Sequence, residues 1–174
     1  MAQPILYMLL GYPGAGKTTT AKIIEELTGA HRLTSDDERL KMFPKPNFTE
    51  TEHSQLYQKL DEETEKLLSS GQSVIYDANL NRYTHREEKY KICQRTNARA
   101  VLIWLNTDRH TSETRATDKS RLKLWPVNET AKDMFNRIAD LIEPPKDSED
   151  PTVLEGSNLR PEIVRSALEA QNLI

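Results

Sequence analysis

The sequence predicts a three-layer α/β/α fold, with helices on both faces of a mainly parallel sheet. Three observations carry this. Apolar runs of strand length alternate with longer stretches of helical periodicity from one end of the chain to the other, the pattern of a parallel sheet covered on both faces. The first run, Ile5 to Leu10, leads into Gly11-Tyr12-Pro13-Gly14-Ala15-Gly16-Lys17-Thr18, a complete G-x-x-x-x-G-K-[ST] loop, and then into a helical pattern. Strand, glycine loop and helix in that order are what a phosphate-binding P-loop requires. Finally, 174 residues without a second composition or an internal repeat fit one domain. The expected fold is thus a single P-loop NTPase domain over 1–174, with a helical lid near 109–127.

Taken in order, the first helix should run from Lys17 to Thr28 and stop at Gly29. Arg32 to Ser35 is a short strand. Ser35 and Glu38 then form a capping box for a helix that ends before Pro44. Glu50 to Ser70 places Leu56, Leu60, Leu67 and Leu68 on one face of a long amphipathic helix. Ser73 to Tyr76 is a strand and 77–81 a loop, after which a helix covers Arg82 to Thr96 with Asn81 as its cap. Ala100 to Leu105 is the most apolar strand, with Trp104 in its core. Asp108 to Lys123 reads as a polar helix broken by Trp125-Pro126, with Trp125 anchoring the lid. Asn128 to Ile142 is another helix, and Glu143 to Pro151 an exposed loop with little apolar surface. A strand at Val153-Leu154 and a helix from Pro161 to Ala170 complete the chain.

The loop residues carry the first chemistry. Glycines let successive backbone N–H groups turn toward a polyphosphate at a helix N-terminus, where the dipole favours anions. Gly11, Tyr12, Pro13, Gly14, Ala15, Gly16, Lys17, Thr18 and Thr19 are therefore expected to hold ATP. Lys17 would reach the β- and γ-phosphates and the Thr18 hydroxyl would hold Mg²⁺. GTPase switches are excluded: no Asp-x-x-Gly follows a strand, and Asn106-Thr107-Asp108 is not the Asn-Lys-x-Asp that reads guanine.

Two further groups fall at strand ends, where ligands of open α/β sheets bind. Asp36 and Arg39 are spaced i and i+3 on a helix. A carboxylate can orient an alcohol and accept its proton, and a guanidinium can grip a phosphate. Helix-dipole stabilisation accounts for Asp37 and Glu38, but not for a cation at Arg39. Asp77 and Asn79 follow the third strand. There Asp77 could bind Mg²⁺ through water, orient substrate or fix the loop.

Composition narrows the classes. The net charge of −3 argues against a general nucleic-acid binder, although residues 82–123 hold eleven Lys/Arg against five Asp/Glu, a local +6. That stretch is either a solvated helix face or a phosphate-handling lid. A single cysteine, Cys93, rules out an internal disulfide and reads as a packed small side chain. With neither a signal-peptide pattern nor a run approaching ~20 apolar residues, the expected location is cytoplasmic. His31, His53, His85 and His110 have no metal-ligand spacing and read as surface or capping residues.

The P-loop, Ser35-Asp36-Asp37-Glu38-Arg39 about seventeen residues later, and Asp77-Ala78-Asn79-Leu80-Asn81 after a strand together resemble the P-loop kinases of the polynucleotide 5′-hydroxyl kinase and zeta-toxin type. The resemblance spans roughly Ile5 to Pro126. It implies an ATP- and Mg²⁺-dependent phosphotransferase with a hydroxyl acceptor. Asp36 would be the general base and Arg39 a contact to an acceptor phosphate, with Asp77 and Asn79 beside the acceptor and Thr18 and Asp77 at the metal. Arg121, partnered by Arg115, would stabilise the transferring phosphoryl group. Two departures stand out: Arg115 and Arg121 are six apart, so Lys119 could fill one role, and Ala78 replaces a frequent hydroxyl residue. A bifunctional enzyme's Asp-x-Asp-Gly-Thr phosphatase signature is lacking. The expected acceptor is a polynucleotide 5′-hydroxyl, with a single-stranded end as candidate partner. The alternatives are the hydroxyl of a metabolite, nucleotide sugar or antibiotic, or an ATPase module with no acceptor.

Overall fold

A computed structural model describes residues 3–118 and 129–174. Five strands, β1 (Ile5–Leu10), β2 (His31–Thr34), β3 (Val74–Asp77), β4 (Arg99–Leu105) and β5 (Thr152–Leu154), form one all-parallel sheet in the order β2-β3-β1-β4-β5. The described helices are α1 (Lys17–Thr28), α2 (Ser35–Met42), α3 (Glu50–Ser69), α4 (Tyr83–Arg95), α5 (Arg109–Ala116), α6 (Ala131–Ala139) and α7 (Pro161–Ala170). The architecture is the expected three-layer α/β/α arrangement.

β1 is central and apolar without interruption because both its faces are covered. Leu6, Met8 and Leu10 pack with Leu56, Leu60 and Leu68 of α3 and with Ile92 and Cys93 of α4. Tyr7 and Leu9 pack on the other face with Ala21, Ile23 and Ile24 of α1 and Val164 and Leu168 of α7. Cys93 is buried, and burial pushes its thiol up to about 12, as befits an inert core side chain.

Local details differ from the sequence expectation where a partner from elsewhere in the chain intervenes. α2 is capped by Thr34, not Ser35: Thr34 keeps extended backbone and its hydroxyl accepts from the Asp37 N–H at 3.1 Å. α4 starts at Tyr83 without a side-chain cap, and the Tyr83 N–H instead donates to Glu143 Oε2 at 2.9 Å. Asn81 is therefore not the cap; its Nδ2 donates to the Ile138 carbonyl at 3.0 Å, tying the loop after β3 to the end of α6. α5 ends at Ala116, well short of Lys123, and α6 is confined to Ala131–Ala139, capped by Thr130. Trp104 is half-buried rather than fully enclosed. Lys119, Arg121, Lys123, Trp125 and Pro126 lie outside the described residues, and with them the 119–127 part of the expected lid.

The loop after α6 is not simply exposed. Glu149 ends a 3-10 turn, Asp147–Glu149, and its side chain is almost wholly buried against Arg86. Arg86 Nε and Nη2 donate to the two Glu149 oxygens at 2.7 and 2.9 Å, and Nη1 donates to the Leu80 and Asn81 carbonyls at 3.0 and 3.2 Å. The remaining Nη2 hydrogen meets the Pro144 carbonyl at 3.4 Å. Tyr90 and the Lys146 N–H also donate to Glu149 at 2.9 Å each. Burial alone would raise the Glu149 carboxyl, but these donors outweigh it and hold it below the usual range.

Candidate functional site

β1 delivers the phosphate loop at the carboxyl edge of the sheet. Gly16 occupies the left-handed region (φ 112°) as N-cap of α1, and no side chain caps that helix, so its first-turn N–H groups are available to an anion. Close packing explains the other glycines. A Cβ on Gly14 would stand 2.4 Å from the Ser112 carbonyl oxygen of α5, and one on Gly16 2.4 Å from the Leu159 side chain. Gly156, which the sequence reading did not single out, runs so close beneath the loop that a Cβ would fall 2.2 Å from the Ala15 carbonyl oxygen. The Thr107 hydroxyl props the loop by donating to that same oxygen at 2.8 Å.

Lys17 folds back over the loop, its Nζ donating to the Gly11 and Tyr12 carbonyls at 2.7 and 2.8 Å. Burial lowers the Lys17 ammonium to about 8, against the opposing pull of Asp77. Asp77 ends β3, the strand beside β1, and accepts from the Thr18 hydroxyl at 3.4 Å. Its carboxyl is raised by burial while Arg32 and Lys17 oppose that shift. Arg32 Nη1 holds the other Asp77 oxygen at 3.0 Å, and Arg32 Nε pairs with Glu25 at 3.2 Å. Strand alternation would have placed Arg32 on the same face as Thr34, which is paired in register with Asp77, but no local motif marked it.

Thr18 and Asp77, the two residues the sequence suggested for a metal, lie within hydrogen-bond distance of each other. Mg²⁺ takes few protein ligands and draws the rest from phosphate and water. Among the described residues no group of three His, Cys, Asp or Glu is placed to hold a metal by itself. The hydroxyl–carboxylate pair fits an ion that arrives with a polyphosphate.

Asp36 stands two residues past Thr34 and is exposed. β2 lies two strands from β1, and two spacings amount to roughly 10 Å. Arg39 does not share the exposure of Asp36; it is 8% exposed. Its guanidinium lies 4.9 Å from the Phe48 ring centroid and 3.9 Å from Glu52, and its Nη1 has no hydrogen-bond partner. Glu52 is committed elsewhere, accepting from the Asn47 and Phe48 N–H groups at 2.9 and 2.8 Å. Phe48 itself is held at φ 56°, a left-handed backbone that costs a non-glycine residue on the order of 1–3 kcal/mol and recurs where ligands are clamped.

Asn79 joins this corner from the loop after β3, its N–H donating to the Tyr57 hydroxyl at 3.0 Å. Four buried side-chain atoms lack a partner among the described residues: Arg39 Nη1, Asn79 Oδ1, Asn81 Oδ1 and Ser112 Oγ. All four belong to elements that follow strand carboxyl ends. Buried polar atoms are normally satisfied, so these four are exceptions that fall on the rim where ligands of open α/β sheets bind. Arg115 of α5 lies against Gly14 and donates to the Gly156 carbonyl at 3.0 Å, next to the loop. A cleft of about 300 Å³ opens beside Gly11 and Tyr12, lined further by Trp104, Asp108, Arg109 and Ile142.

No curated protein sequence matches the chain. Among solved structures, the Mycobacterium tuberculosis APS kinase in complex with AMPPNP and APS is 17% identical with a TM-score of 0.69, covering 99% of this chain and 98% of that one. A gluconokinase from Sinorhizobium meliloti 1021 is 17% identical with a TM-score of 0.66, covering 98% and 95%. The Pnkp1/Rnl/Hen1 RNA repair complex is 18% identical with a TM-score of 0.65, covering 81% of this chain and 45% of that one. At these identities the likeness is one of fold. A family pattern matches far more specifically, over residues 6–145, a span that takes in the loop, Asp36, Asp77 and α6: by that match the chain belongs to the AAA domain family, here with a kinase-like P-loop fold.

Proposed function

We propose that this protein transfers the γ-phosphate of ATP to a hydroxyl group of a small-molecule acceptor. The observation that carries this reading is the Lys17–Thr18–Asp77 cluster at the phosphate loop, with Asp36 in the first turn of the helix that follows β2, the strand beside Asp77. Two of the solved structures described above are kinases named for small molecules, whereas the RNA repair complex is matched over less than half its chain. This favours a small acceptor over the polynucleotide end expected from sequence.

The phosphate loop and Lys17 would bind the polyphosphate, the Lys17 ammonium exchanging its two carbonyl partners for phosphate oxygens. Thr18 and Asp77 would hold Mg²⁺, which supplies charge neutralisation at the β- and γ-phosphates. Asp36 would accept the acceptor's hydroxyl proton as its oxygen bonds to the γ-phosphorus and the bond to the β-bridging oxygen breaks, releasing ADP. Arg39 would bind the acceptor, with Asn79 beside it. Arg115, and Arg121 from outside the described residues, would stabilise charge on the moving phosphoryl group. Catalysis of this kind is positioning and electrostatics.

The test is γ-labelled ATP with Mg²⁺ against sugars, sugar acids and 5′-hydroxyl oligonucleotides, following the label. Label in a small phosphorylated product supports the reading; label only in free phosphate, or in the oligonucleotide, overturns it. Asp36→Asn should keep nucleotide binding and lower turnover about 10²–10⁴-fold. Unchanged turnover would remove Asp36 from the mechanism.

A further inference from the structure

We propose that the acceptor carries an anionic group, a carboxylate or phosphate on a small alcohol, seated over Tyr57 between His53 and His85 and met by Arg39. This inference rests on the small-acceptor reading above and adds the chemical class. His53 and Tyr57 are spaced i and i+4 on α3, and their ring centroids are 4.4 Å apart. His85, in the first turn of α4, lies 6.3 Å from Tyr57 on a different element. The Tyr57 oxygen accepts from Asn79, which leaves its own proton to donate. Arg39 Nη1 is the buried, unmet donor of the same corner. Three side chains of cationic capacity and one hydroxyl donor thus converge at this corner.

The surrounding charges sharpen the point. Burial, Arg39, His85 and Arg137 of α6 all lower the His53 imidazole, in that order of importance. Burial, Lys89 and Arg82 lower His85, while Asp61 and Glu143 oppose them. Those opposing carboxylates already have partners: Asp61 is bound by Lys89 and Tyr76, and Glu143 by the Tyr83 N–H. Glu52 is bound to Asn47 and Phe48, and Arg137 is paired with Glu129. Asp36 faces Tyr57 from α2 and contributes negative charge on the reacting side. Without ligand the two histidines are held toward the neutral form. An anion between them reverses the balance and draws protons onto them, so its affinity must rise as pH falls.

The experiment uses the full chain with its phosphate loop filled by Mg-AMPPNP, so that added anions cannot bind there. Calorimetric titration with gluconate, glucose 6-phosphate and glucose at pH 8 and pH 6 separates carboxylate, phosphate and neutral polyol. At least one anion is expected to bind tenfold or more tightly than glucose, and several-fold more tightly at pH 6 than at pH 8. His53→Gln and His85→Gln, both changes near the helix surface, should each remove most of that pH dependence. The proposal is overturned if neither anion binds, if glucose binds as well, or if the pH dependence survives both substitutions. It is equally overturned if a 5′-hydroxyl oligonucleotide binds more tightly than either anion. Binding is read without turnover. Retained anion affinity with no phosphorylated product would therefore overturn the kinase reading alone.

Discussion

Arg86 and Arg39 are both shielded from solvent near the carboxyl edge of the sheet, yet their surroundings differ in kind. Every N–H of Arg86 finds an acceptor, including both oxygens of a buried carboxylate. Arg39 keeps an unmet Nη1, an aromatic ring in place of an acceptor, and a carboxylate at 3.9 Å that is already engaged by backbone. A guanidinium with five satisfied donors can only hold the fold together. One with an open donor beside strained backbone keeps a hydrogen bond unspent. Two arginines on helices that the sequence renders much alike therefore divide into one whose donors are all met and one with an open donor, which the proposed function makes the contact to the acceptor.

The largest expected effect tests the structural half of this contrast. Arg86→Met leaves Glu149 buried without its cation, a change that costs about 3–5 kcal/mol. Urea unfolding of the variant should record that loss. Pairing it with Glu149→Leu should recover much of it, because two apolar side chains leave no stranded charge. A stable single variant would mean that Glu149 escapes to solvent and that the 143–151 segment is the loose loop its composition suggested.

Arg39→Met should behave in the opposite manner. Glu52 retains its two backbone donors, so stability should shift by no more than about 1 kcal/mol. Acceptor KM should rise roughly 10- to 100-fold, the equivalent of a charged hydrogen bond worth about 1.5–3 kcal/mol. Steady-state kinetics with the acceptor varied, set beside the melting curve, reads both. A large stability loss with unchanged KM would place Arg39 in the same class as Arg86.

The sequence made the fold readable because its determinants are local. β1, the loop at Gly11 to Thr18 and α1 announce themselves through an apolar run, glycine spacing and 3.6-residue periodicity, and α1 and α7 occupy the spans expected for them. The Thr18–Asp77 meeting was also legible, since Thr18 closes the phosphate-loop motif and Asp77 ends a strand and opens a motif of its own. What sequence could not convey is pairing across distance. Glu149 lies in a stretch of prolines and charges that looks solvated, and only Arg86, sixty-three residues earlier, makes it interior. Arg32 looked like an ordinary strand residue until Asp77 stood beside it. His53 and His85 read only as surface or capping residues, and it is the packing of α3 against α4 that brings both rings to Tyr57. The same limitation misplaced the α4 cap, whose work is done by Glu143.

Acid should separate the two arginine sites in a third way. Glu149 is held below its ordinary range in the folded protein. Its contribution is therefore fully present above the unfolded value, ~4.3, and is lost as pH falls through the folded one. Wild-type stability should decline across that acid window more steeply than that of Glu149→Gln, which has no proton to take up there. Unfolding free energies measured at a series of pH values from 6 to 3 provide the comparison. Parallel curves for the two proteins would mean that the Arg86–Glu149 pair does not govern acid sensitivity.

The smallest effect concerns the hydroxyl that starts the helix bearing Arg39. Thr34 Oγ1 accepts from the Asp37 N–H at 3.1 Å, and Thr34 is also paired in register with Asp77. Thr34→Ala should cost about 1 kcal/mol, the usual loss for a removed N-cap, whereas Ser35→Ala should cost next to nothing because Ser35 is already inside the helix. The difference also reaches the reaction, since the first turn of α2 sets where Asp36 points. Loss of the cap should then lower kcat more than it alters the KM for ATP, and Ser35→Ala should do neither. If the two alanine variants lose stability equally, the helix begins one residue later than Thr34 implies. Asp36 would then sit a residue nearer the helix start, and the geometry argued for its carboxylate would have to be redrawn from that turn outward.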